Sequence, residues 1–329
     1  MRSKISQSIF AFIAVTLAVI FIGLTIKQTD FQVLKEAAVR ANYFWFLASM
    51  ILSIFSYWLR AKRWTFLLEP IGYRTKTKSG FWAISFAYFM NLTIPRSGEI
   101  ARATSFYKME QVPVDKSIGT IVLERVIDLL FLLLFFVLTF IFNADTLFSF
   151  FSFAQGISFG KYAIALSVLV ALLILGHVFR SKLLQIRLFQ KIYEFLIGIW
   201  IGFLSILHLK KRGLFILYSF GIWICYFFMT YLVLFAFPET SHFRVGEGFF
   251  LIVSGALGMI LPAVGGLGYP YVMSMAFAAI YISSGKTAEE GQIVGNYFGL
   301  LLYFAQIISI LIFGFLSMVY MGKLKHKKA

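Results

Sequence analysis

Apolar residues run along this chain in long blocks, with polar residues confined to short breaks between them. A helix rising 1.5 Å per residue needs about 20 apolar residues to cross a hydrocarbon core of about 30 Å. Such blocks occur near residues 8–26, 43–60, 117–142, 161–179, 214–237 and 293–321. The pattern predicts an all-α, polytopic membrane protein with about six full transmembrane helices.

Two further apolar stretches, residues 80–95 and 248–262, are only 16 and 15 residues long, and each ends in a Pro with a Gly three positions on: Pro95 and Gly98, Pro262 and Gly265. Proline has no amide to donate and glycine accepts any backbone region, so the pair is a means of stopping a helix inside a membrane. The stretches read as arms of two re-entrant hairpins, about residues 80–110 and 248–283, entering from opposite faces in an inverted-repeat relation. Ordinary kinks in membrane helices are the alternative, and periodicity does not separate the two.

Composition supports the lipid setting. Of 329 residues 60% are apolar and 13% are charged, about half the charge of a soluble domain. A cytosolic enzyme, a secreted disulfide scaffold and a disordered tail are thereby excluded. The 30 basic residues outnumber the 14 acidic ones, for a net charge of +16. They sit in short clusters between apolar blocks rather than on one hydrated face, so no nucleic-acid partner is expected. Placing the N-terminus in the cytoplasm sorts these clusters by the positive-inside rule. Arg2 and Lys4, Arg60 to Arg63, Arg74 to Lys78, Lys108 and Lys116, Arg180 to Lys191, Lys210 to Arg212 and the basic tail 322–329 fall inside, and far fewer fall outside. Both termini are then cytoplasmic, residues 192–209 form an in-plane cytoplasmic helix, and Tyr57, Trp58 and Trp64 read as an interfacial aromatic belt. The chain reads as a single membrane domain over residues 1–329.

The run 117–142 carries Glu124, Arg125 and Asp128. A charge at the bilayer centre costs about 2.5–3.5 kcal/mol on insertion scales, so such groups face protein, water or a ligand. Glu124 and Asp128 are four apart and share a helix face. With Arg96, Glu99 and Arg102 of the first hairpin they would complete a buried polar cluster in which arginines grip an anionic headgroup and carboxylates hold the arginines. A purely structural salt-bridge network is the alternative; both readings bring these residues into contact. Other motifs are weaker. The single Cys225 and four scattered histidines predict neither disulfide nor metal, and no cofactor is expected. Ser284 to Thr287 echoes the end of a phosphate-binding loop but lacks its first glycine, and the sequon at Asn91 lies in an apolar arm.

Asn91 with Pro95, Arg96, Ser97, Gly98, Glu99 and Arg102, then Glu124, Arg125 and Asp128, then Pro262, Gly265, Gly266 and Gly268, together resemble in order and spacing the transmembrane domain of lysylphosphatidylglycerol synthases and their stand-alone flippase-like relatives. The resemblance covers nearly the whole chain. It implies a non-enzymatic lipid translocator of the plasma (inner) membrane, with those residues other than Ser97 as its substrate-binding set and membrane lipids as its partners. Bifunctional relatives carry a soluble aminoacyl-transferase domain, and this chain stops at Ala329, so it is not expected to aminoacylate lipid itself. A membrane subunit that docks a separate synthase or glycosyltransferase is the second expectation. The family often has a Glu shortly after the glycine motif, where this chain has Tyr269, Pro270 and Tyr271.

Overall fold

The computed structural model describes residues 30–94, 97–155, 209, 211–260 and 268–327. The apolar runs near 8–26 and 161–179 lie outside these, as do the in-plane helix predicted at 192–209 (Leu209 excepted), Pro95, Arg96, and the turn with Pro262, Gly265 and Gly266. Among the described residues the regular structure is helical: α1 (Phe31–Arg40), α2 (Tyr43–Leu68), α3 (Thr77–Thr93), α4 (Gly98–Glu110), α5 (Val114–Gln155), α6 (Arg212–Tyr231), α7 (Val245–Ile260), α8 (Gly268–Ser283) and α9 (Ala288–Lys327). Among the described residues four stretches, Tyr43–Ile71, Val114–Ser152, Arg212–Ala236 and Ala288–Leu324, are long and apolar enough to cross a membrane.

Local chemistry sets the helix ends. Asp30 caps α1 by accepting from the Gln32 amide at 2.9 Å, and Asn42 caps α2 by accepting from Phe44 at 3.1 Å. Gly72, at φ 94°, turns the chain after α2, and Gln111, at φ 59°, ends α4. At Asn143, with φ −152° and ψ 46°, α5 kinks, so that Leu147 and Phe150 beyond the kink join the core around α8.

The helices form two similar units: a long helix, a broken hairpin and a second long helix, first as α2, α3–α4, α5 and again as α6, α7–α8, α9. The arms have 17, 13, 16 and 16 residues. At 1.5 Å per residue each spans roughly 20–25 Å, short of a complete crossing. The units run in opposite directions because α2 and α6 are antiparallel. At one end Ser49 donates to the Met229 carbonyl at 2.7 Å; at the other Lys211 reaches Glu69 at 3.0 Å. The packing is reciprocal, since α3 lies on α9 and α7 lies on α5, each first arm resting on the last helix of the other unit.

Both hairpins close on a glycine. A Cβ on Gly98 would stand 2.6 Å from the Ala87 carbonyl oxygen and from Asn91 Nδ2, and one on Gly258 would stand 2.8 Å from the Gly268 carbonyl oxygen. Between α8 and α9, Gly291, Gly295 and Gly299 repeat every four residues, and a Cβ at any of them would approach α8 atoms to 2.9 Å or less. Small residues at that spacing let membrane helices meet backbone to backbone.

Candidate functional site

Where α2, α4, α5 and α6 converge, the protein buries charge. Arg102 on α4 faces Glu124 on α5 in a two-pronged pair, Nη1 to Oε2 at 2.6 Å and Nη2 to Oε1 at 3.2 Å, with side-chain exposures of 2% and 0%. The guanidinium lies over Trp64, 3.9 Å from the ring centroid, and the indole nitrogen of Trp64 donates to Thr120 Oγ1 at 2.9 Å. Four residues along α5, Asp128 accepts from Arg63 Nη1 at 2.8 Å and stands 3.6 Å from Arg125. Arg125 also meets Glu99 at 3.4 Å, both about half exposed. The i, i+4 spacing of Glu124 and Asp128 aims two carboxylates at different arginines along one helix face.

The hairpin tip is organised by Asn91, whose Oδ1 accepts from the Gly98 amide at 2.7 Å and caps α4 from the neighbouring arm. Ser97 Oγ donates to the carbonyls of Met90 and Ile94, at 3.0 and 2.7 Å. On its other face, α4 joins α3 in lining a cleft of about 370 Å³ with Phe86, Met90, Ile100 and Thr104 along its length, Ser97 towards the tip and Lys108 at the far end. The second hairpin contributes a different surface: Gly268 is buried at the start of α8, against Gly258. Among the described residues no ion pair joins it to the arginine cluster.

Two members of the cluster were not expected from the sequence. Arg60 and Arg63 were expected in a cytoplasmic loop; instead α2 continues to Leu68 and buries them, at 6% and 0% exposure. Arg60 Nη1 donates to the Tyr88 hydroxyl on α3, and its guanidinium sits 5.4 Å from that ring's centroid. The aromatic belt is corrected as well. Trp58 is exposed, but Tyr57 stacks on Tyr88 at 4.6 Å inside the bundle and Trp64 is the buried platform under Arg102. A signal was present: Ser49, Ser53, Ser56, Arg60 and Arg63, spaced four and three apart, form one stripe along α2, and all five are buried.

The sequence profile described as the lysylphosphatidylglycerol synthase TM region matches residues 11–310. The chain belongs to that family. Within the curated proteins, it is similar to a UPF0104 membrane protein of Methanocaldococcus jannaschii, 28% identical over 142 residues. That match covers 41% of this chain and 40% of the relative, so the chain spans well under half of the relative it matches. No solved structure matches the chain. As a member of the lysylphosphatidylglycerol synthase TM-region family, the protein combines an all-α membrane fold with buried arginine–carboxylate pairs at the junction of its first hairpin and the neighbouring long helices.

Proposed function

We propose that the protein translocates a membrane lipid with an anionic or zwitterionic headgroup between leaflets, and that it carries the lipid rather than modifying it. The observation that carries this reading is the cluster of Arg60, Arg63, Arg102, Glu124 and Asp128 on helices otherwise built for lipid. Ionisable groups at such depth mark a substrate path. Two oppositely directed units with broken hairpins are an arrangement used for alternating access. The cleft on α3–α4 is mostly apolar along its length and basic at one end, as an acyl chain ending in a phosphate requires. The family's description ties the membrane region to lipid chemistry. No nucleotide-binding loop occurs in the sequence, so transport runs downhill or is coupled to an ion, with Glu99, Glu124 or Asp128 as the proton site.

The orientation follows from charge. Arg74, Lys76, Lys78, Lys108, Lys116, Lys211 and Lys323 lie at one end of the bundle; Lys35, Arg40, Arg244 and Lys286 lie at the other, among Glu36, Glu239, Glu247, Glu289 and Glu290. The basic end faces the cytoplasm of the plasma membrane under the positive-inside rule, with both chain termini on that side.

The test is reconstitution in liposomes with labelled lipids of several headgroups. Faster exchange between leaflets than in protein-free liposomes is expected; equal rates for every headgroup would sink the proposal. A second reading, a membrane subunit that docks a separate synthase or glycosyltransferase, is favoured by the family description, which places this region in a synthase. It predicts a co-purifying enzyme and no intrinsic exchange.

A further inference from the structure

We propose that Arg60 seats a single oxyanion, the phosphodiester of a membrane phospholipid, between α2 and α3 beside the Tyr88 hydroxyl. The charges around it do not balance. Arg60, Arg63 and Arg102 are all buried, and the carboxylates that meet the latter two are Glu124 and Asp128. The half-exposed Glu99 and Arg125 cancel one another. One positive charge remains, and the geometry gives it to Arg60. Arg102 has its two-pronged Glu124 and Arg63 has Asp128, whereas Arg60 donates to a neutral hydroxyl and takes part in none of the ion pairs among the described residues. The Arg60 Nε–H has no hydrogen-bond partner there, nor do Nε and Nη2 of Arg63, one turn further along the same face of α2.

A buried guanidinium without a counter-charge is among the costliest groups a fold carries. A ligand with one negative charge and several acceptor oxygens removes both deficits. A phosphodiester has that charge and two non-bridging oxygens matched to the guanidinium fork, and the Tyr88 hydroxyl can rotate to donate a further hydrogen bond. A phosphomonoester, at about −1.5 to −2 near neutral pH, would overshoot. Arg60 lies eight residues before the end of α2, roughly 12 Å along the helix, a depth a lipid headgroup reaches when it crosses. Tyr88 and Asp128 are partly exposed and offer the approach. The source of the phosphodiester rests on the lipid-translocation reading; the charge argument stands on the cluster alone.

The experiment uses the full chain in neutral detergent. Thermal unfolding is followed during titration with dioctanoyl phosphatidylglycerol, dioctanoyl phosphatidic acid or sodium phosphate, for the wild type, Arg60→Gln and Arg60→Lys. Phosphatidylglycerol should raise the wild-type midpoint. Arg60→Gln should bind it at least tenfold more weakly, with Arg60→Lys in between, while the lipid-free midpoint of Arg60→Gln equals or exceeds that of the wild type. A structural role for Arg60 gives the opposite lipid-free result, a lower midpoint with an unchanged lipid-induced shift, and would overturn the site. Equal shifts with sodium phosphate would overturn the lipid source, and tighter binding of phosphatidic acid would overturn the single-charge class. Leaflet exchange, measured in parallel, separates this site from the transport reading. Arg60-dependent binding without exchange by the wild type sinks transport alone; exchange by Arg60→Gln at the wild-type rate sinks the site alone.

Discussion

Arg102 and Glu124 stand 22 residues apart in sequence, on α4 and α5, and meet through two hydrogen bonds of 2.6 and 3.2 Å with neither side chain exposed. The pair fastens the second arm of the first hairpin to the long helix that follows. Removing one partner strands the other charge in the bundle. Arg102→Met or Glu124→Leu should therefore cost about 3–5 kcal/mol, whereas the double change Arg102→Met with Glu124→Leu should recover most of that loss. Denaturant or thermal unfolding of the four proteins in detergent completes the cycle. Additive losses would mean that the two side chains do not meet.

Glu99 and Arg125 make the contrasting case. They lie 3.4 Å apart and are about half exposed, so the pair contributes no more than about 1 kcal/mol to stability. Glu99→Gln and Arg125→Gln should melt close to the wild type. If the pair lies on the lipid path, as the proposed function requires, each variant should also slow leaflet exchange by about tenfold or more. Unchanged exchange would restrict the path to the buried residues.

The break in the first hairpin was visible in the sequence because proline, glycine and run length act locally. The first arm ends at Thr93 and the next begins at Gly98, close to the break expected between Pro95 and Gly98. The pairing of Glu124 with a hairpin arginine was legible for a similar reason, since a carboxylate in an apolar run has to be met by a cation. Arg60 and Arg63 were not legible in the same way. At the end of an apolar run, two arginines flanking a lysine look the same whether the chain leaves the membrane or the helix continues into a polar interior. What decides it is Asp128, 65 residues away on α5, which accepts from Arg63. The serine stripe leading to them is a helical-period signal that average hydropathy erases.

The glycine stripe of α9 gives a prediction independent of the charged cluster. A Cβ on Gly295 would stand 2.7 Å from the Met273 carbonyl oxygen and from Phe277 Cβ, so Gly295→Ala must push α8 and α9 apart, at a cost of about 1–3 kcal/mol. Gly322, on the same helix, has nothing within 4 Å of its added Cβ. Gly322→Ala should be neutral, or stabilising by up to about 1 kcal/mol, because alanine is the better helix former. Melting curves of the two variants should move in opposite directions or differ plainly in size.

The first hairpin's tip allows a sharper test, because two of its residues are coupled. Asn91→Ala removes the cap on the Gly98 amide and should cost about 0.5–2 kcal/mol. Gly98→Ala places a Cβ 2.6 Å from Asn91 Nδ2, 2.7 Å from Asn91 Cγ and 2.6 Å from the Ala87 carbonyl oxygen, and should cost about 1–3 kcal/mol. Two of those three atoms belong to Asn91, so shortening it to alanine removes most of the side-chain clash and leaves the backbone one. The double variant should thus lose less stability than the sum of the single losses, by about 0.5 kcal/mol or more. It should still fall below Asn91→Ala alone, since the Ala87 carbonyl has no freedom to retreat without moving α3. A double variant as stable as Asn91→Ala would show that the arms separate freely at the tip, and strict additivity would show that Asn91 does not face Gly98.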